Sequence, residues 1–180
     1  MKRALVDVNV VLDVLLARAP HAATSTACLA AVESNRVEGL LSAHAVTTLA
    51  YLAARALGKA EARRAIDDLY AIFAIATVDE AVIRRALALD LADFEDAVTA
   101  AAAEAAGCEA IVTRDVAGFK GSPVPALEPV LWLVLLANRP AEDSGTELRE
   151  PESVYGGKRR RRTSTQAAAR GGKRGRRAAR

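Results

Sequence analysis

Two apolar runs in this chain stop on a carboxylate, and a helix-like stretch between them opens on more. Leu5-Val6 leads into Asp7-Val8-Asn9, Asp93-Phe94-Glu95-Asp96 heads an alanine-rich segment, and Ile111-Val112 leads into Thr113-Arg114-Asp115. Short apolar runs ending on acids read as parallel strands that deliver side chains to one edge of a sheet. Open parallel sheets carry their chemistry outside the carboxyl ends of the strands. Carboxylates gathered there, with no cation beside each in sequence, suit a hard divalent ion such as Mg²⁺.

The pattern between these motifs supports that architecture. Arg3 to Val8 reads as a buried strand and Val10 to Ala17 as a short apolar helix stopped near Pro20, with Asn9 the better-placed helix cap. His21 to Asn35 has helical spacing. Gly39 to Ser42 reads as a second strand, and Ala43 to Leu57 as a helix closed by Gly58. Lys59 to Phe73 is amphipathic: Ala62, Ile66, Leu69, Tyr70 and Phe73 share a face opposite Arg63, Arg64 and Asp67. Ala74 to Val78 is a weak strand. Asp79 caps a helix to about Leu89, and Asp93 caps one running to Ala106 and Gly107. Ala110 to Thr113 and Pro123 to Leu127 read as strands, and Glu128 to Leu136 as a closing helix. Strands alternating with helices predict an α/β chain, a three-layer α/β/α sandwich around a mostly parallel sheet.

The chain has 180 residues, 52% of them hydrophobic, enough for one well-packed domain. Cys28 and Cys108 are far apart and form no C-x-x-C, which argues against a zinc site or disulfide framework and for a reducing cytoplasm. The N-terminal apolar stretch is too short for a signal peptide, and Val130 to Ala137 is too short to span a bilayer. The net charge of +3 conceals an asymmetry. Residues 153–180 carry 11 Lys and Arg and no acid, leaving 14 basic against 22 acidic side chains elsewhere, a net of −8. The expected division is one α/β domain over 1–140 and a disordered basic tail over 141–180, unable to bury a core. In that tail Arg159, Arg160, Arg161, Arg162, Lys173 and Arg174 are candidates for non-specific phosphate binding. A solubilising extension is the plainer reading.

Each acid also has a plain reading. Asp7 is as readily a helix cap or turn residue as a ligand. Asp93 at a helix start, with an acid three residues on, resembles a capping box. Residues three apart share a helical face, so Asp96 can point with Asp93, and the helix N-terminus favours both charges. Asp115 alone would be a solvated turn residue beside Arg114. Convergence of Asp7, Asp96 and Asp115 on one edge is what raises them above these readings. His21 and His44 lack metal-ligand spacing and read as ordinary helix-start residues. No Ser/His/Asp set, dinucleotide fingerprint or phosphate loop is present.

Leu5 to Asp13, Asp93 to Ala97 with its alanine helix, Ala110 to Asp115 followed by Gly118-Phe119, and Pro125 to Pro129 together resemble a PIN domain over about residues 1–137. VapC-like toxins of bacterial toxin–antitoxin pairs look most similar. The resemblance implies Mg²⁺- or Mn²⁺-dependent endoribonuclease activity, RNA as substrate, a cognate antitoxin and dimerisation. It implies Asp7, Asp96 and Asp115 as catalytic metal ligands, with Asn9, Asp93 and Thr113 in support. Many PIN domains also place a Glu early in the helix after strand two. Here that position falls near Thr48, with Asp93 a partial substitute. A nucleic-acid- or partner-binding relative that has lost catalysis, and a DNA-directed nuclease of related fold, are the alternatives.

Overall fold

The computed structural model describes residues 2–138. The tail expected over 141–180, with its six candidate phosphate-binding residues, lies outside the described residues. Among the described residues five strands form one sheet: β1 (Arg3–Val6), β2 (Glu38–Ser42), β3 (Ala74–Ala76), β4 (Ala110–Val112) and β5 (Ala126–Leu127). Their order is β3-β2-β1-β4-β5, and every pairing is parallel. Seven helices of the described residues connect and close them: α1 (Val8–Leu15), α2 (Ala22–Glu33), α3 (Ala43–Leu57), α4 (Lys59–Ile72), α5 (Glu80–Leu87), α6 (Phe94–Ala105) and α7 (Pro129–Ala137).

The strands are short and apolar because both faces of the sheet are covered. Ala4 and Val6 of β1, with Ala110 and Val112 of β4, pack against α1, α2, α4 and α7 around Trp132, which has no exposed surface. Leu5, Leu40 and Ile111 face the opposite way, against α5 and α6. That alternation makes two apolar layers on one sheet, the three-layer sandwich expected. The buried run Ala97 to Ala103 explains the alanines of α6: small side chains let this helix lie close on the sheet.

The chain lays down β1, β2 and β3 outward on one side, then returns to place β4 on the other side of β1. The order therefore reverses between β1 and β4. At such a point the connections leave in opposite directions and open a crevice at the carboxyl ends of the strands. Asp7 and Thr113 follow directly on these two strands.

Several boundaries differ from expectation. β1 ends at Val6 rather than Val8, and α1 begins at Val8 rather than Val10, because Asp7 (φ −74°, ψ 153°) turns the chain straight into the helix. Asp7, not Asn9, holds the N-cap position, yet its side chain caps no backbone N–H. β5 starts at Ala126 rather than Pro123. Pro123 and Pro125 have no N–H to give a ladder, though the Pro125 carbonyl still accepts from Ile111 N–H at 2.9 Å. β3 stops at Ala76. The caps at Asp79 and Asp93 are as expected: Asp79 accepts from Val82 N–H at 2.9 Å, and Asp93 from Glu95 and Asp96 N–H at 2.7 and 3.2 Å. Gly58 (φ +89°) ends α3 and starts α4, a left-handed turn that a side chain would strain. Cys28 and Cys108 are free and buried in opposite layers. Among the described residues, no helix is long and apolar enough to cross a membrane.

Candidate active site

The switch point brings Asp7 and Thr113 side by side, and one hydroxyl ties them together. Thr113, fully buried, is fixed by its own N–H donating to the Leu127 carbonyl at 3.0 Å. Its Oγ1 donates to Asp7 Oδ2 at 2.7 Å and accepts from Asn9 Nδ2 at 3.0 Å and Asp115 N–H at 3.0 Å. Asn9 Nδ2 also donates to Asp7 Oδ2 at 2.6 Å, and Asn9 Oδ1 accepts from Arg114 N–H at 3.2 Å. One Asp7 oxygen is thus held by two donors. Asn9 and Thr113, the residues that the resemblance offered as supports, both hydrogen-bond Asp7, and Asn9 is not a helix cap.

Asp96 and Asp115 meet under Gly118. A Cβ built on Gly118 would stand 2.6 Å from Asp96 Oδ2 and 3.0 Å from Asp115 Oδ2. Two carboxylates from different elements therefore share one small space, and the glycine keeps it open. Asp115 Oδ1 accepts from Gly118 N–H at 3.0 Å, so the loop is folded by the acid it presents. Asp93 stays at the helix start as a cap, close enough to raise Asp96.

The electrostatics follow from this crowding. Burial pushes the Asp96 carboxyl from 3.8 up to about 6, and repulsion from Asp7, Asp93, Asp115 and Glu95 adds to it. Asp7 is also raised, chiefly by burial, with the Thr113 hydrogen bond opposing and Glu95 and Asp115 adding repulsion. Such a group of acids is costly without a cation, and oxygen-only donors fit Mg²⁺ or Mn²⁺ rather than a soft metal. Among the described residues, however, no three His, Cys, Asp or Glu side chains stand as a ready metal-holding group. The arrangement is a carboxylate pair with Asp7 drawn back onto Thr113 and Asn9.

Three features escaped sequence reasoning. Glu95 joins the group: Thr48 Oγ1 donates to Glu95 Oε1 at 3.3 Å, so the position lacking an acid on α3 faces one supplied by α6. Asp93, the substitute offered by the sequence, caps α6 and adds its charge to the field on Asp96. His44 is not merely a helix-start residue either. Its Nδ1 lies 2.7 Å from Ser42 Oγ and its Nε2 3.9 Å from Glu95 Oε1, and burial lowers its pKa, which keeps the ring neutral near pH 7. Arg114 turns away from Asp115. Its Nε lies 2.9 Å from Oδ2 of the fully buried Asp13, a charge contact without hydrogen-bond alignment that leaves Asp13 Oδ1 unpartnered. Asp13 lies on the buried face of α1.

A parallel α/β/α sandwich with carboxylates gathered at its switch point defines the class. The chain belongs to the PIN domain family, whose profile matches residues 3–117. Among solved structures, VapBC2 from Rickettsia felis, bound to a DNA fragment from its promoter, superposes with a TM-score of 0.57 at 15% identity, over 70% of this chain and 98% of that one. FitAcB from Neisseria gonorrhoeae gives 0.54 at 23%, over 71% and 98%. VapC20 from Mycobacterium tuberculosis, a toxin cleaving the sarcin–ricin loop, gives 0.51 at 17%, over 60% and 86%. Among curated protein sequences none matches significantly.

Proposed function

We propose that this protein is a Mg²⁺- or Mn²⁺-dependent endoribonuclease and the toxin of a toxin–antitoxin pair. The observation that carries the reading is the meeting of Asp96 and Asp115 under Gly118, beside Asp7, at the sheet's switch point. Family membership supports it, since PIN domains are generally nucleases. The similar structures support the partner: VapBC and FitAB assemblies are toxin–antitoxin complexes.

Asp7, Asp96 and Asp115 would hold the ion. When bound, such an ion lowers the pKa of water and offsets charge that gathers on a phosphate during hydrolysis. The protein's own part is orientation. Thr113 and Asn9 fix Asp7 in one rotamer and anchor the loop that carries Asp115. Asp93 fixes the start of α6 and so the direction of Asp96. Gly118 reserves the space between the two acids. Glu95 adds a fourth carboxylate to the field, held by Thr48 and flanked by His44. A polyanionic substrate is repelled by these acids, and the basic tail, with Arg159, Arg160, Arg161, Arg162, Lys173 and Arg174, would offset that repulsion without sequence preference. Homodimerisation and a cytoplasmic location belong to the same reading.

The test is RNA cleavage in Mn²⁺ by the wild type and by Asp96→Asn. Cleavage by the wild type lost in the variant is expected. Equal cleavage by both overturns the assignment. A second reading is a PIN domain that binds nucleic acid or a partner without cutting. It is favoured by Thr48 standing where an acid is usual and by the absence, among the described residues, of a ready three-acid group. Tight Mn²⁺ binding in calorimetry, lost in Asp7→Asn, favours the enzyme over it.

A further inference from the structure

Beside the acidic centre lies a cavity of ≈190 Å³ whose walls come from three elements: His21, Thr24 and Ser25 at the start of α2, Arg114 after β4, and Glu128 and Pro129 where β5 passes into α7. Arg114 belongs to both places. Its neighbours Thr113 and Asp115 lie in the acidic centre, its backbone N–H is held by Asn9, and its side chain turns into the cavity.

The cavity is built rather than incidental. Asp13, with no exposed surface, holds two of its walls: Oδ2 accepts from Ser25 Oγ at 3.0 Å and lies 2.9 Å from Arg114 Nε. Among the described residues the Arg114 guanidinium makes no hydrogen bond: its Nε is held by charge alone, 2.9 Å from Asp13 Oδ2, and its fork keeps donors to offer. Asp13 offsets its charge and Glu128 adds a negative one, so the cavity is poorly suited to a phosphate. It suits a neutral group that accepts from Arg114 and donates to Glu128. Size points the same way: a cavity of about 150 Å³ accommodates a benzene, so this one takes a single heteroaromatic ring system.

We infer that this cavity takes one unpaired guanine of the RNA strand, next to the phosphodiester to be cut. Guanine carries two adjacent acceptors, O6 and N7, which match an arginine fork, and two adjacent donors, N1–H and N2–H₂, which match a carboxylate. In a duplex the donor edge is paired with cytosine, so the base must come from a single-stranded loop or end, the usual target of sequence-specific RNA readers. The inference rests on the nuclease reading for its substrate but on separate residues for its geometry.

The test has two arms. In EDTA, GMP, AMP, CMP and UMP are titrated onto the full chain and followed by amide NMR. GMP is expected to shift Thr24, Ser25 and Arg114 and to bind at least about tenfold more tightly than AMP, the discrimination a good bidentate pair gives. Glu128→Ala, at an exposed N-cap that makes no side-chain cap bond, should lose that preference and keep the fold. Arg114→Lys, which keeps a cation for Asp13 but loses the fork, should lose it too. Equal binding of the four nucleotides, or shifts confined elsewhere, overturns the inference whatever the protein cleaves. In the second arm, cut sites in unstructured RNA are mapped. Guanine beside the cut supports the inference, and cuts without base preference overturn it while leaving the nuclease intact. GMP bound at these residues without any RNA cleavage supports the pocket and fails the nuclease.

Discussion

Asp96→Asn separates the two consequences of crowding acids. In the metal-free protein the Asp96 carboxyl is raised from 3.8 to about 6 by burial and by its acidic neighbours. The folded state therefore holds this proton more tightly than the unfolded state does. Between those pH values the native form binds more protons, so stability falls as pH rises through the window and levels off above it. The full rise corresponds to about 3 kcal/mol at 1.36 kcal/mol per pH unit. The carboxyl is partly solvated and sits at a helix N-terminus that favours charge by about 0.3–1 kcal/mol, so on the order of 1 kcal/mol remains after screening. Asn keeps the shape and removes the charge. In EDTA it should unfold about 2–4 °C higher than the wild type at pH 8 and at the same temperature at pH 4. Circular dichroism melts across that range measure the difference. Saturating Mn²⁺ reverses the order: at 100 times its dissociation constant an ion stabilises the protein that binds it by about 2.7 kcal/mol, and only the wild type should gain. A variant no more stable than the wild type at pH 8, or equally stabilised by Mn²⁺, would refute the crowding argument.

The remaining predictions address other parts of the same edge. Gly118→Ala should leave the fold intact and reduce Mn²⁺ affinity at least tenfold by calorimetry, because the new methyl occupies the space shared by Asp96 and Asp115. Arg114→Ala should destabilise by about 3–5 kcal/mol in urea unfolding, since it leaves a fully buried carboxylate with the Ser25 hydroxyl but without its cation. The double variant with Asp13→Ala should recover part of that loss. Removing residues 141–180 should weaken single-stranded RNA binding and flatten its dependence on salt, by about 0.7 in the logarithmic slope for each phosphate no longer neutralised. Unchanged binding at low and high salt would make the tail irrelevant to RNA.

What was legible followed from rules of short range. Apolar runs of three or four residues gave the strands, and their alternation with helical spacing gave the layers. Asp79 and Asp93 could be read as caps because capping depends on neighbours two and three residues away. The positions of Asp7 and Asp115 at strand ends implied that they share an edge. Contacts set by the sheet order were not legible. Nothing local says that Thr113 bonds Asp7 across 106 residues, or that Asn9 turns from capping to hold both. The pairing of Asp13 with Arg114 joins α1 to the loop after β4, and the sequence shows only a polar residue in an apolar helix and a basic residue beside an acid.

The acid missing from α3 shows the same division most sharply. Counted along the chain, the site lacks a carboxylate near Thr48. Counted in space it does not, because Glu95 reaches Thr48 from the first turn of α6. If carboxylates gather for a cation, their element of origin should matter less than their position. Glu95→Gln removes one charge from an exposed side chain and should cost little stability, while weakening Mn²⁺ binding severalfold. Adding Thr48→Glu to that variant returns a carboxylate to the same region from the other helix and should restore binding. In the wild type, by contrast, Thr48→Glu sets two carboxylates against each other and should destabilise the metal-free protein, more at pH 8 than at pH 4. Calorimetry on the three variants decides it. If Glu95→Gln binds Mn²⁺ as tightly as the wild type, Glu95 is only the partner of Thr48 and His44, and the centre works with its three aspartates alone.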